Sequence, residues 1–147
     1  MTNLKINWTG NIKGNGTIKA DYLKTNFAIP KIFNGSGEGT DPKELLLSSA
    51  ATCFIGTLVA ILENRKLPVV ELSMDSKVTS SKEEGLKLFH YPHIILTADA
   101  TEEQIQAANR TMKAADKGCT IGNILKKAEV HIDVEGKVSL ASENSED

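Results

Sequence analysis

The stretch "DPKELLLSSAATCFIGTLVAIL", residues 41–62, constrains this chain more than any other. Eighteen uncharged residues, Leu45 to Leu62, run between Glu44 and Glu63. A run of that length just meets the requirement for a bilayer span. Ser48, Ser49, Thr52 and Thr57 dilute its hydrophobicity, however, and its front edge carries the signals of a soluble helix. Asp41 suits the N-cap, Pro42 the first helical position, where its missing N–H costs nothing, and Glu44 the third. The expectation is a helix apolar nearly all round and buried on more than one side. Ser48, Ala50, Ala51 and Gly56 would allow close packing.

Before that helix, "LKINWTG", "GTIKAD", "LKTNFAI" and "PKIFNG" predict three or four short antiparallel strands, with "GSGEGTD" as a loop leading into the cap. "ENRKLP" ends the helix, because Pro68 cannot continue it and Arg65 and Lys66 suit its C-terminal dipole. "VVELSMDSKVTS" and "LKLFHYPHIILTAD" read as two strands around the hairpin loop "SKEEG", with Tyr91-Pro92 marking a strand edge or bulge. "TEEQIQAANRTMKAADKG" opens on a capping box, Thr101 to Gln104, and carries Ile105, Ala108 and Met112 at helical spacing. A short helix "CTIGNILKKA" and a strand "AEVHIDVEGKVSL" follow.

This order predicts an α+β fold, a mostly antiparallel sheet wrapped around a long buried helix, over a single domain 1–140. The acidic tail 141–147 is expected to be disordered. At 147 residues one core is the default. One sheet leaves a helix apolar all round with an uncovered face, so an interlocked homodimer is expected. With 17 basic and 19 acidic residues the net charge is -2, which argues against nucleic acid or an anionic lipid surface as partner. No secretory leader is read in "MTNLKINWTG", and the expected compartment is the cytoplasm.

Two cysteines, Cys53 and Cys119, are too few for a disulfide scaffold and are read as thiols. Two unrelated core cysteines are one reading, since free cysteine is among the most buried residue types. The other is a redox pair, in which one sulfur becomes a sulfenic acid and the second condenses with it. Cys119, at the start of a short helix, is placed where N–H groups and the helix dipole favour a thiolate. Cys53 lies two turns or more into its own helix and would need a nearby cation or a hydrogen-bond network.

Taken together, "WTGNIKGNGTIKAD", "GTDPKELLLSSAATCF" and "AADKGCTIGNILKKAEVHIDV" resemble, in order and spacing, the OsmC/Ohr family of osmotically inducible and organic hydroperoxide resistance proteins. The resemblance runs from Trp8 to about Val134. It implies an intertwined α+β homodimer with active sites at the subunit interface, reducing organic hydroperoxides by a cysteine pair without metal, flavin or haem. Cys53 matches the attacking cysteine and Cys119 the resolving one, recharged by an external dithiol or a lipoylated protein. The family places an arginine in the first glycine-rich hairpin, where this sequence reads "NIKGNGT" with Lys13 as the nearest cation. Beside the proline of the second motif, where the family has an acid, stands Lys43, followed by Glu44.

On one continuous helix Glu44 lies about half a turn out of phase with Cys53 and about 13.5 Å from it, so it suits a cap better than a contact within that helix. His90 and His93, three apart on a strand, face opposite sides, which speaks against a shared metal site. His93 near an interface site is a candidate proton donor or base, while a surface position is the expectation for all three histidines. The reading is a thiol peroxidase acting on organic hydroperoxides. The alternative is a nonenzymatic dimeric module that binds a small apolar molecule or senses redox state.

Overall fold

The structure is a computed structural model and describes residues 1–142, so most of the expected acidic tail, 143–147, lies outside the described residues. The chain forms two compact units, Met1–Leu46 and Leu47–Asp147.

In the first unit β1 (Lys5–Thr9), β2 (Asn15–Lys19) and β3 (Lys24–Phe27) make an antiparallel sheet in that order. Gly16 faces Trp8 on one side and Phe27 on the other. Its lack of a side chain is required, because a Cβ there would sit 2.2 Å from the Phe27 ring, which lies 5.5 Å from that of Trp8. The Trp8 indole N–H lies 3.1 Å from the carbonyls of Gly10 and Asn11 and ties down the loop that follows β1.

"PKIFNG" is a 3-10 turn, Lys31–Phe33, and not a fourth strand. Its N–H groups are spent locally, Phe33 and Gly35 both bonding to the Pro30 carbonyl, and Asn34 adopts the left-handed conformation that ends the turn. The cap of the next helix forms as the sequence predicts: Asp41 Oδ1 accepts from the Glu44 N–H at 2.8 Å, and the Thr40 hydroxyl donates to the Glu44 carboxylate.

Helix α1 (Pro42–Asn64) leads into the second unit, followed by the hairpin β4 (Val69–Ser81) and β5 (Gly85–Leu96). Helices α2 (Glu102–Gly118) and α3 (Thr120–Lys127) then carry the chain back to β6 (His131–Val134) and β7 (Lys137–Leu140). Both last strands run parallel to β5, and two helices supply the long crossover that parallel pairing demands. The capping box of α2 is complete, Thr101 and Gln104 exchanging bonds of 2.9 and 3.2 Å.

The expected single last strand is split at Glu135–Gly136, and Pro92 explains the split. Beta5 is central, between β4 and the β6–β7 pair, so Pro92 is not at a sheet edge. Having no N–H, it cannot continue the ladder, and the facing strand breaks opposite it while keeping one register on both sides.

The core is built from Phe54, Leu58 and Leu62 of α1, Ile94 and Leu96 of β5, Ala108, Met112 and Ala115 of α2, and Cys119. Ala50, Phe54, Leu58 and Leu62 recur every fourth residue and make one buried stripe along α1. Only 22% of its most apolar 18-residue window is buried, so the expectation of a helix covered on more than one side is not met within one chain. One sheet face and one neighbouring helix can cover only one stripe. Leu58 is fully buried in it, and Leu58→Ala is expected to lower the unfolding free energy by about 3 kcal/mol, read from urea denaturation.

Candidate active site

In the second unit Cys53 packs against the core cluster that contains Cys119, and each thiol acts on the ionisation of the other. Cys53, half-buried, stands at mid-length of α1, and Cys119 occupies the single residue between α2 and α3, only 3% exposed. The Cys119 sulfur caps α3 and accepts from the Gly122 N–H at 3.4 Å. Two side-chain ties hold α3 onto the end of α2. Asn123 donates to the Lys117 carbonyl at 2.9 Å, and Lys126 forms an ion pair with Asp116 at 2.9 Å.

This junction polarises the two thiols in opposite directions. The Cys53 thiol is held below its ordinary value, first by the backbone N–H of Ile121, against the opposing effect of burial, with further help from the Cys119 thiol, the Thr120 N–H and the Thr57 hydroxyl. The Cys119 thiol is pushed up to about 11, first by burial, then by donating to Cys53, with the charges of Cys53 and Asp116 adding to the rise. Of the two, Cys53 therefore ionises more readily and Cys119 keeps its proton. A thiolate needs donors and a buried thiol resists charge, so the pair can carry one negative charge comfortably and not two.

The sequence expectation that the helix start would favour a thiolate on Cys119 is therefore corrected. The start of α3 does stabilise a thiolate, but its Thr120 and Ile121 N–H groups serve the sulfur on α1. Cys119 lies in the core beside Asp116 and pays the desolvation penalty instead. Cys53 acquires the hydrogen-bond network that its position within α1 called for, and among the described residues the groups that lower its value are all uncharged donors.

His90 corrects a second expectation. It is 2% exposed, on the core face of β5, with its ring stacked 5.4 Å from that of Phe54, the residue after Cys53. Its Nδ1 and the Ser76 hydroxyl are 2.7 Å apart. Burial lowers its pKa against a weaker opposing pull from Asp116, so the imidazole is neutral and acts as packing behind the thiol helix. His93 lies on the other face of β5, with Nε2 2.7 Å from the Ser139 hydroxyl. His131 is exposed, its ring edge near Phe89. Lys13, exposed, and Glu44, at the cap of α1, belong to the first unit.

Sequence reading singled out both sulfurs but missed Thr57, the two N–H groups of α3 and His90. Thr57 had a legible signal, since four residues on a helix bring two side chains onto one face. The N–H groups had none, because a backbone donor has no identity in the sequence and its target is set by the tertiary fold.

Comparison with known proteins matches residues 35–135 to the family described as OsmC-like protein. The uncharacterized protein YmaD of Bacillus subtilis is 37% identical over 144 residues, 95% of each chain. An organic hydroperoxide resistance protein of Xanthomonas axonopodis is 33% identical over 72 residues, 48% of this chain and 51% of that one. Among solved structures, an organic hydroperoxide resistance protein OsmC from Legionella pneumophila superposes with a TM-score of 0.62 at 23% identity, covering 93% of this chain and 96% of that one. That likeness shows the fold.

The opposite polarisation predicts how the thiols alkylate. Iodoacetamide reacts with thiolates, so at neutral pH it is expected to label Cys53 first. Labelling of Cys119 in the folded chain should rise only as the pH approaches about 11, since the protonated form persists up to that point. Peptide mass spectrometry after timed quenching reads the order, and earlier labelling of Cys119 at neutral pH would contradict the assignment.

Proposed function

The chain belongs to the OsmC-like protein family, and from that premise we propose that it is a thiol peroxidase that reduces organic hydroperoxides through Cys53 and Cys119. The observation that carries this reading is that the fold packs Cys53 against the core cluster containing Cys119 and shifts the two thiols in opposite directions. In this reading the thiol that ionises more readily is the nucleophile, and the one that keeps its proton serves the second step. The name of the Xanthomonas relative supports a peroxide as substrate.

In the first step the Cys53 thiolate attacks the terminal oxygen of the hydroperoxide. The O–O bond breaks, the alkoxide takes a proton and leaves as alcohol, and Cys53 becomes a sulfenic acid. In the second, the Cys119 sulfur attacks Cys53, the sulfenic hydroxyl leaves with the Cys119 proton as water, and a disulfide forms. An external dithiol, free or carried on a lipoylated protein, then reduces the disulfide and is itself oxidised. No metal or organic cofactor enters this cycle. The apolar neighbours of Cys53 favour an alkyl hydroperoxide over hydrogen peroxide.

Lys13 and Glu44 are supporting residues in this proposal, by their positions in the family's motifs. The uncharged donors already account for the lowered Cys53 value, so the role left for Lys13 is to assist the peroxide. His93, on the other sheet face, could act only at a site completed by a second copy. A homodimer is part of the reading. It is supported by the open face of α1 and by β1, which is exposed along its whole length and carries Ile6 and Trp8.

A second reading, binding without turnover, is favoured by an apolar cavity of about 260 Å³ lined by Val59, Leu62, Leu67, Val69 and Leu72. Turnover separates the two. Addition of one equivalent of an organic hydroperoxide is expected to remove both free thiols and to yield the alcohol. Cys53→Ser should abolish the reaction, and Cys119→Ser should leave a sulfenic acid that dimedone traps. Thiol loss no faster than in a cysteine peptide would defeat the peroxidase reading. Sedimentation of the reduced protein is expected to give the mass of two chains, and a monomer at micromolar concentration would remove the dimer from it.

A further inference from the structure

Thr57 follows Cys53 by four residues on α1, so the two side chains stand on one face of the helix, one turn apart. Its hydroxyl donates to the Cys53 main-chain carbonyl at 2.9 Å, on the helix face that carries the Cys53 sulfur, and it helps to lower the pKa of that thiol. A hydroxyl has one proton to give, so the carbonyl and the sulfur compete for it. A neutral thiol is a weak acceptor and leaves the proton with the carbonyl. A thiolate is an anion, and charge-assisted hydrogen bonds are about twice as strong as neutral ones. Turning the hydroxyl about the Cβ–Oγ1 bond redirects its hydrogen along the helix face that the two side chains share.

The methyl of the same residue borders the other half of the site. Thr57 Cγ2 lies 3.4 Å from the point where a side chain on Gly118 would begin, and Gly118 is the last residue of α2, immediately before Cys119. One threonine therefore bonds the turn that carries Cys53 with its oxygen and borders the junction that carries Cys119 with its carbon.

We propose that Thr57 is a positioning residue for Cys53: its hydroxyl turns from the main-chain carbonyl to the sulfur when that sulfur carries charge, while its methyl keeps the α2–α3 junction in register with it. The proposal rests on the reading of Cys53 as the reacting sulfur and deepens it. The titratable groups around this point are Cys119 at the start of α3, Asp116 on α2, which acts on Cys119 and His90, and His90 on β5 behind Phe54. None of them supplies the donor that Thr57 does, since Cys119 already donates its single proton to Cys53.

Two variants of the full chain separate the hydroxyl from the methyl. Thr57→Val keeps the shape and loses the donor, whereas Thr57→Ser keeps the donor and loses the methyl. The readout is the rate of iodoacetamide labelling of Cys53 between pH 6 and 9, followed by peptide mass spectrometry. In Thr57→Val the profile is expected to move to higher pH, with labelling at neutral pH slower by about tenfold, the loss of one hydrogen bond to a charged group. Thr57→Ser is expected to keep the wild-type profile. A Thr57→Val profile that overlays the wild type overturns the proposal, and so does an equal displacement in both variants, which would trace to lost packing. Labelling uses no peroxide, so this result stands apart from the wild-type turnover that tests the peroxidase reading.

Discussion

The site depends on one constraint: two thiols within hydrogen-bonding reach, in a partly dry environment, cannot both be charged. Whichever sulfur receives more donors becomes the anion, and the other must then stay protonated to face it. Here the donors converge on Cys53, and Cys119 is held neutral by burial, by the thiolate it faces and by Asp116. The architecture around the α2–α3 junction fits this outcome. Alpha3 must start where its first N–H groups reach across to α1, and the Lys126–Asp116 and Asn123–Lys117 contacts fix it there. The ion pair also limits the negative field that Asp116 exerts on the buried sulfur beside it.

That junction is useful only if α1 is held firmly, and its buried stripe does this. Ala50 before Cys53 and Phe54 and Leu58 after it are buried and hold the helix on both sides of the thiol, and Phe54 is backed by the neutral ring of His90. A neutral imidazole suits the role because a charged one there would have to be desolvated. The remaining faces of α1 follow a different logic. They are only partly covered within one chain, and the proposed homodimer rests on that open face.

The sequence made most of the fold readable because its signals were local. Asp41-Pro42, the Thr101–Gln104 box and Pro68 mark helix ends through interactions that span a few residues, and the structure keeps all three. The misreadings were non-local. "PKIFNG" has the alternation of a strand, but Pro30 and Asn34 close it into a turn. Pro92 reads as a strand edge or bulge because proline removes a donor from the ladder. In the fold β5 is central and the neighbouring strand accepts the break instead. His90 carries no local mark of burial at all; its partners, Ser76 and Phe54, are far away in sequence. The candidate site divides in the same way, with both cysteines legible and their division of labour not. A helix start beside a cysteine suggests activation of that cysteine, and only the three-dimensional arrangement reveals that the dipole is delivered across the interface between helices.

This delivery bears on the missing arginine. In the family that the chain belongs to, the resemblance places a guanidinium beside the reactive thiol, and a guanidinium does two things at once: it offsets charge and it holds a planar acceptor in a fork. Uncharged N–H donors and a hydroxyl can take over the first task, since hydrogen bonds to the charged form lower a pKa as an ion pair does. They cannot provide a fork for a second anion. Ionisation and substrate orientation, which one residue would otherwise combine, are thereby separable in this chain. In the proposed cycle the first is aided by α3 and Thr57, and the residue that orients the substrate is free to be a simple cation. A lysine in the first glycine-rich hairpin is then consistent with a reactive Cys53, because the thiolate does not depend on it.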